Sequence, residues 1–210
     1  MRADARKNYE QLLAVAHVVV AEDGADASLR DIARRAGVGL GTLYRHFPTR
    51  EALLEALLRT SFDRLKARAQ ELEAAEPVED ALLSWLRDFA ADACTYHGIA
   101  ALMMAAIEDE ESALHASCVT MRAAGTRLLE RAQEAGAARA DMDGTDLFAL
   151  AGAMAWLGDQ PSLARRIDRL FDMITGSILT TGAGRDAPAH GRPNGRGADS
   201  AEPSPGQAPM

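Results

Sequence analysis

Cysteine is scarce in this chain. Cys94 and Cys118 are the only two among 210 residues, too few for a disulfide framework, and nothing at the N-terminus has the make-up of a secretory signal peptide. A reducing cytoplasm is therefore the expected compartment. Long hydrophobic runs are missing too. The longest apolar stretch, near Leu12 to Ala21, is interrupted by His17 and falls short of the roughly 20 residues that span a bilayer, so no membrane partner is expected. No segment shows the apolar/polar alternation of a half-buried strand. The motifs of common enzyme classes are absent as well: there is no phosphate-cradling glycine loop, no G-x-S-x-G elbow and no H-E-x-x-H pair. Scattered acidic residues and histidines on helical segments do not replace them. Neither enzymatic activity nor a cofactor is expected.

A basic excess is also lacking overall, with a formal net charge of -8. The sign is uneven along the chain. Residues 1 to 50 hold eight Lys/Arg against six Asp/Glu, whereas residues 51 to 181 hold 12 against 22. Arg2, Arg6, Lys7, Arg30, Arg34, Arg35, Arg45 and Arg50 thus supply one end with positive charge suited to phosphates, while the acidic remainder is repelled by polyanions.

What is present is most legible from Ser28 to Leu54, SLRDIARRAGVGLGTLYRHFPTREALL. Ser28 is placed to cap a helix with Asp31 three residues on, and Leu29, Ile32, Ala33 and Ala36 share one apolar face. Gly37 supplies the positive φ of a helix C-terminus, and Val38 fills the angle that follows. A second helix, about Leu40 to Phe47, buries Leu43 and Phe47 and presents Thr42, Tyr44, Arg45 and His46, which suit phosphates and base edges. Pro48 stops it, and Thr49 caps a long helix beginning at Arg50. This is the grammar of a DNA-reading helix-turn-helix.

The run VGLGTLYRHFPTREALL resembles the DNA-binding signature of the tetracycline-repressor (TetR) family of bacterial transcription regulators, over roughly residues 6 to 58. The resemblance implies that Thr42, Tyr44 and His46 hold the DNA backbone, that Arg45 lies on the reading helix, that Arg50 meets a phosphate, and that Arg30 touches DNA. Two positions depart from the common pattern. Gly39 stands where many members have Ser, weakening the helix cap, and Leu40 replaces a polar reader. Leu40 offers an apolar contact to a thymine methyl, which shifts base readout towards Arg45 and DNA shape.

The remainder reads as all-α. Residues 1 to 7 are expected to form a flexible basic arm, followed by a helix from about Asn8 to Asp23 that Gly24 ends. Helices are expected over about 50–74, 78–96, 98–108, 112–135, 143–158 and 161–180, with breaks at Pro77, Gly98, Gly136 to Gly144 and Pro161. Three units follow: a helix-turn-helix domain with its arm (1–50), a helical domain (51–181), and a Gly/Pro/Ala-rich tail (182–210) of disordered composition.

In the second unit, small and soft side chains permit a cavity, with Trp85, Phe89, Met103, Met104, Ile107, Met121 and Trp156 as candidate lining. A methionine-filled core is the plainer alternative. The resemblance implies a small-molecule inducer of unknown identity in this domain, bound by a repressor that then releases its operator. It also implies a homodimer built on the last two helices, with Leu147, Leu150, Ala151, Met154, Leu170 and Ile174 at the interface. Two copies would read a palindrome on double-stranded DNA. Other readings remain open. Cys94 with His97, and His115 with Cys118, stand at i, i+3 on two helices, a set that would suit Zn²⁺ or oxidant sensing if they faced each other. A ligand- or protein-binding helical module with weakened DNA reading is the remaining alternative.

Overall fold

The computed structural model describes residues 2–95, 109–158, 160 and 162–180. Within them all regular elements are helical, and the one extended pairing is an isolated antiparallel bridge between Ala138 and Leu179. The expected helix at 98–108, the breaks at Gly98 and Pro161, and the tail from residue 182 lie outside the described residues.

Helix α1 spans Arg2–Asp23, so the segment expected to be a flexible arm is helical. Its Ala, Arg and Lys are good helix formers, and Arg6 Nε meets Glu10 Oε1 at 2.8 Å, an i, i+4 pair that supports the exposed N-terminal part of the helix. Gly24, at φ +70°, ends the helix, and a 3-10 turn at Gly24–Asp26 leads to α2, Leu29–Arg35. Helix α3 follows at Leu40–His46, with Phe47 as its C-cap. Leu12, Ala16, Val19 and Val20 of α1, Ile32 and Ala33 of α2, and Leu43 and Phe47 around α3 are all buried together.

Helix α4, Arg50–Leu72, is 23 residues long, roughly 35 Å at 1.5 Å per residue. Its first turns bury Leu53, Leu54 and Leu57 beneath the helix-turn-helix, and its later turns bury Phe62, Leu65, Ala69 and Leu72 among the helices beyond. It is the shaft joining two parts of one connected core. Helices α5 (Val78–Thr95), α6 (Ala113–Glu134), α7 (Gly144–Gly158) and α8 (Ile167–Ile178) complete the fold. The expected helix at 161–180 is resolved into a 3-10 turn, Ala164–Arg166, and the shorter α8.

Helix α4 packs on α5 and most extensively on α6, α5 packs on α7, and α8 leans on α7. At the centre Trp85 is buried, its indole Nε1 donating to the Leu65 carbonyl at 3.0 Å. Gly125 on α6 lies against that ring: a Cβ there would stand 2.8 Å from two of its carbons. Phe89 then packs at a tilt on Trp85, with ring centroids 5.7 Å apart, and meets Phe148 edge-on at 5.8 Å.

Polar ties fix the rim of this core. Ser61 Oγ donates to Asp92 Oδ2 at 2.7 Å, Arg64 pairs with the same carboxylate, and Arg68 Nε meets Asp88 Oδ2 at 3.0 Å, joining α4 to α5. Arg131 on α6 donates to the Leu72 carbonyl at 3.2 Å, serving one of the orphan carbonyls at the end of α4. The chain after α6 is fastened to the end of α8 by Arg139 N to the Ile178 carbonyl and Thr180 N to the Ala137 carbonyl, both at 3.0 Å.

Candidate nucleic-acid interface

The helix-turn-helix is assembled by local chemistry. Ser28 Oγ accepts from Asp31 N at 3.4 Å and starts α2. Gly37 at φ +67° reverses the chain, with its own N–H donating to the Arg34 carbonyl at 3.1 Å. A side chain at that φ would be strained. Gly39 is the N-cap of α3 at φ -70°, ψ 146° and makes no side-chain cap bond, leaving the early α3 amides without that partner. Thr49 Oγ1 caps α4 by accepting from Ala52 N at 3.1 Å.

With Leu43 and Phe47 buried, the opposite face of α3 is turned outward. Tyr44 is 45 % exposed and presents its ring outward. Arg45 is exposed beside it, and its Nη2 donates to Thr42 Oγ1 at 2.9 Å. That bond pre-orients the guanidinium along the helix surface. Gly41 is exposed between them and keeps the face low. Arg30 is exposed on α2 and, among the described residues, forms no ion pair.

Other basic groups are committed within the protein. Arg34 and Arg35 both pair with Asp31, and Arg35 also reaches Glu22 at 2.8 Å. The Asp31 carboxyl is held below its usual range, chiefly by the hydrogen bond from Arg34. Arg50 Nη1 donates to the Ala27 carbonyl at 2.8 Å and ties the start of α4 to the approach to α2. His46 is half-buried, its ring 5.9 Å from that of Tyr9. Leu40 is half-buried and packs on the core, so its apolar surface is shared between the protein and the outside. The eight residues singled out by the sequence thus form an outward set, Arg30, Thr42, Tyr44 and Arg45, and a set engaged with the framework, Leu40, His46 and Arg50. Gly39 joins the two at the start of α3.

The helical unit divides its candidates differently. Trp85, Phe89 and Met121 are buried in the core, and Trp156 is 57 % exposed. Met103, Met104 and Ile107 lie outside the described residues. A cavity of about 450 Å³ opens instead between α5 and α8, floored by Ala90, Ala91, Ile167 and Phe171 and edged by Arg87, Asp168 and Asp172. The Arg87 guanidinium lies 5.3 Å from the centroid of the Phe171 ring. Ile167 and Phe171 stand on an apolar stripe visible in the sequence, but nothing local marks Arg87 as their neighbour.

Two sequence expectations are redrawn by burial. Leu147, Ala151 and Met154, placed at an interface, are 2 %, 0 % and 1 % exposed within one protomer. They pack inward on α5 and α6. Because α7 is apolar nearly all round, periodicity does not choose which of its faces turns inward. Leu150, Leu170 and Ile174 are half-buried, and Ala153, Trp156 and Met173 are exposed beside them. Of the cysteine and histidine set, Cys118 is buried, and burial pushes its thiol above the usual value, opposite to a reactive thiolate. His115 is in the first turn of α6, its backbone N donating to the Ser112 Oγ cap at 3.0 Å. The Cys94 side chain and His97 lie outside the described residues. Among the described residues no group of three or more His, Cys, Asp or Glu is arranged to hold a metal ion. No described helix is long and apolar enough to cross a membrane.

Residues 12–57 match the family described as bacterial regulatory proteins, tetR family, and residues 76–176 match the C-terminal domain of transcriptional regulators described as SbtR-like. A TetR transcriptional regulator of Streptomyces coelicolor is 37 % identical with a TM-score of 0.65, the similarity covering 83 % of this chain and 99 % of that one. A TetR transcription regulatory protein of Mycobacterium vanbaalenii is 32 % identical with a TM-score of 0.59, covering 85 % and 99 %. An HTH-type transcriptional regulator of Staphylococcus aureus (strain USA300) is 36 % identical over 64 residues, 30 % of this chain and 35 % of that protein. The chain thus spans about a third of the length of that curated relative, and the agreement beyond the head comes from the family match at residues 76–176 and from the solved structures. With the head and the helical domain both matched, and a relative of this identity covered almost end to end, the chain belongs to the TetR family of bacterial transcription regulators.

Proposed function

We propose that the protein is a homodimeric repressor of the cytoplasm that holds a palindromic double-stranded operator with its two α3 helices and releases it when a small molecule enters the helical domain. The observation that carries this reading is the outward face of α3: exposed Tyr44, and Arg45 pre-oriented by Thr42, on a helix pinned from behind by Leu43 and Phe47. In this reading Arg45 addresses a base edge, Thr42, Tyr44 and Arg30 meet the backbone, and His46, Arg50, Gly39 and Leu40 set the helix in place at the rim of the contact. No catalytic role is assigned to any residue.

The dimer would form on the outer faces of α7 and α8, where Leu150, Leu170 and Ile174 retain partial exposure and Trp156 and Met173 present large apolar surfaces, 57 % and 63 % exposed. The cavity between α5 and α8 is the candidate inducer site. A ligand bound there shifts the operator equilibrium only by its differential affinity for the two states, about 1–3 kcal/mol in typical couplings.

Selection of binding sites from random DNA by the full chain tests the reading. An enriched palindrome, lost with Arg45→Ala, is the expected result; no enrichment at low salt would overturn it. The uncapped Gly39 and the core-packed Leu40 favour a second reading, a helical ligand- or protein-binding module with weakened DNA recognition. That reading predicts DNA affinity without sequence preference. The buried, proton-holding Cys118 gives metal or oxidant sensing no support.

A further inference from the structure

Helix α3 has seven residues and no side-chain cap at its start, too short to be stable alone. Its orientation must be set by what it touches. Leu43 and Phe47 fix one side, and its C-terminal end meets a residue distant in sequence, Tyr9 of α1. The Tyr9 ring lies 5.1 Å from that of Phe47 and 5.9 Å from that of His46, the latter edge-on. Its hydroxyl accepts a hydrogen bond from Arg59 Nη2 of α4 at 3.2 Å. One phenol therefore touches α3 through its ring and α4 through its oxygen.

Packing covers only part of that phenol. A cavity of about 200 Å³ adjoins it, lined by Tyr9, His46, Phe47, Glu55 and Arg59 among others. A ring beside open space has room to turn, and a bond from a charged donor, stronger than a neutral one, is what holds it. Arg59, on the shaft, is only partly exposed.

We infer that Tyr9 and Arg59 are a positioning pair for the reading helix: the guanidinium holds the phenol, and the phenol holds the His46–Phe47 end of α3 at a fixed angle to α4. The role rests on the proposed use of α3 to read DNA, and it adds two residues outside the helix-turn-helix surface. It also gives α4 a grip on α3. Since α4 is tied to α5 through Ser61, Arg64 and Arg68, a displacement of α5 against α4 has a connected route to the head.

The test compares the full chain with Tyr9→Phe, which keeps the ring and removes only the hydroxyl, with Arg59→Ala, and with the double variant. Hydrogen exchange at the Leu43 and Phe47 amides reads α3 without DNA. Loss of one modest hydrogen bond should speed exchange there about fivefold in either single variant. The double variant should add nothing further, because each change removes the same bond, and the Leu128 amide in α6 should be unmoved. On a selected operator the single variants should lose a similar factor in affinity with the salt slope of wild type.

Unchanged α3 exchange, or additive effects in the double variant, would overturn the pair. So would a salt slope lowered by about 0.9 per subunit in Arg59→Ala, which marks a direct phosphate contact. Failure of the wild type to select any DNA sequence, with the exchange result as expected, would leave the pair standing and remove the DNA-reading role of α3.

Discussion

The head and the helical unit hold their parts in place by different means. In the head, each turn is set by residues within a few positions: Ser28 and Thr49 as caps, Gly37 at positive φ, and Leu43 and Phe47 one turn apart. In the helical unit the central fixture is Trp85, whose partners come from three helices: the Leu65 carbonyl of α4, Phe89 of its own α5, and Gly125 of α6. Local rules start and stop the helices of the head, whereas the centre of the helical unit is settled by contacts between helices.

The comparison predicts where the protein is most easily broken. Trp85→Ala should destabilise the fold by about 3–5 kcal/mol, from lost burial and an unfilled cavity, and remove the indole donor from the Leu65 carbonyl. Denaturant unfolding measures it. A loss under 1 kcal/mol would mean that the helical unit is held by dispersed contacts instead. Gly125→Ala should cost about 1–3 kcal/mol by overpacking, because the Trp85 ring it meets is pinned by a hydrogen bond and cannot swing aside. A neutral outcome would show that α6 slides easily on α5.

Arg45→Ala leaves this packing untouched, so its melting temperature should match wild type. Its effect belongs to DNA: a loss of about 1–3 kcal/mol per half-site with relaxed preference at one base position. If affinity falls equally for all sequences, Arg45 contacts backbone, and the readout lies in DNA shape.

How much of this was legible in the sequence follows the same division. The caps at Ser28 and Thr49, the turn at Gly37, the missing cap at Gly39 and the burial of Leu43 and Phe47 are local patterns, and each was readable. The side of α7 that faces inward was not. With apolar residues on most of its positions, only the placement of α5 and α6 decides that Leu147, Ala151 and Met154 turn in and Trp156 turns out. The lining of the α5–α8 cavity was equally hidden, because Arg87 and Phe171 meet across 84 positions of chain. At the N-terminus, positive charge suggested an arm where Arg6 and Glu10 instead complete a helix. The engagement of His46 and Arg50 with Tyr9 and Ala27 likewise belongs to tertiary structure; the motif identifies the residues but does not say which way they turn.

The smallest expected effect is the most selective for the head. Gly39 sits at φ -70° with nothing within 4 Å of where a Cβ would stand, so a side chain fits without strain. Gly39→Ser adds a hydroxyl able to accept from an early α3 amide, worth only a few tenths of a kcal/mol over glycine at an N-cap. Global unfolding will barely register it, since the change concerns one seven-residue helix. Exchange of the Thr42 amide, whose present partner is the Gly39 carbonyl at 2.8 Å, should slow by less than about threefold. Operator affinity separates two causes. If the bare cap only loosens α3, Gly39→Ser tightens binding by that same small factor; if glycine is there so that backbone can approach a phosphate closely, the added side chain weakens binding while still slowing exchange.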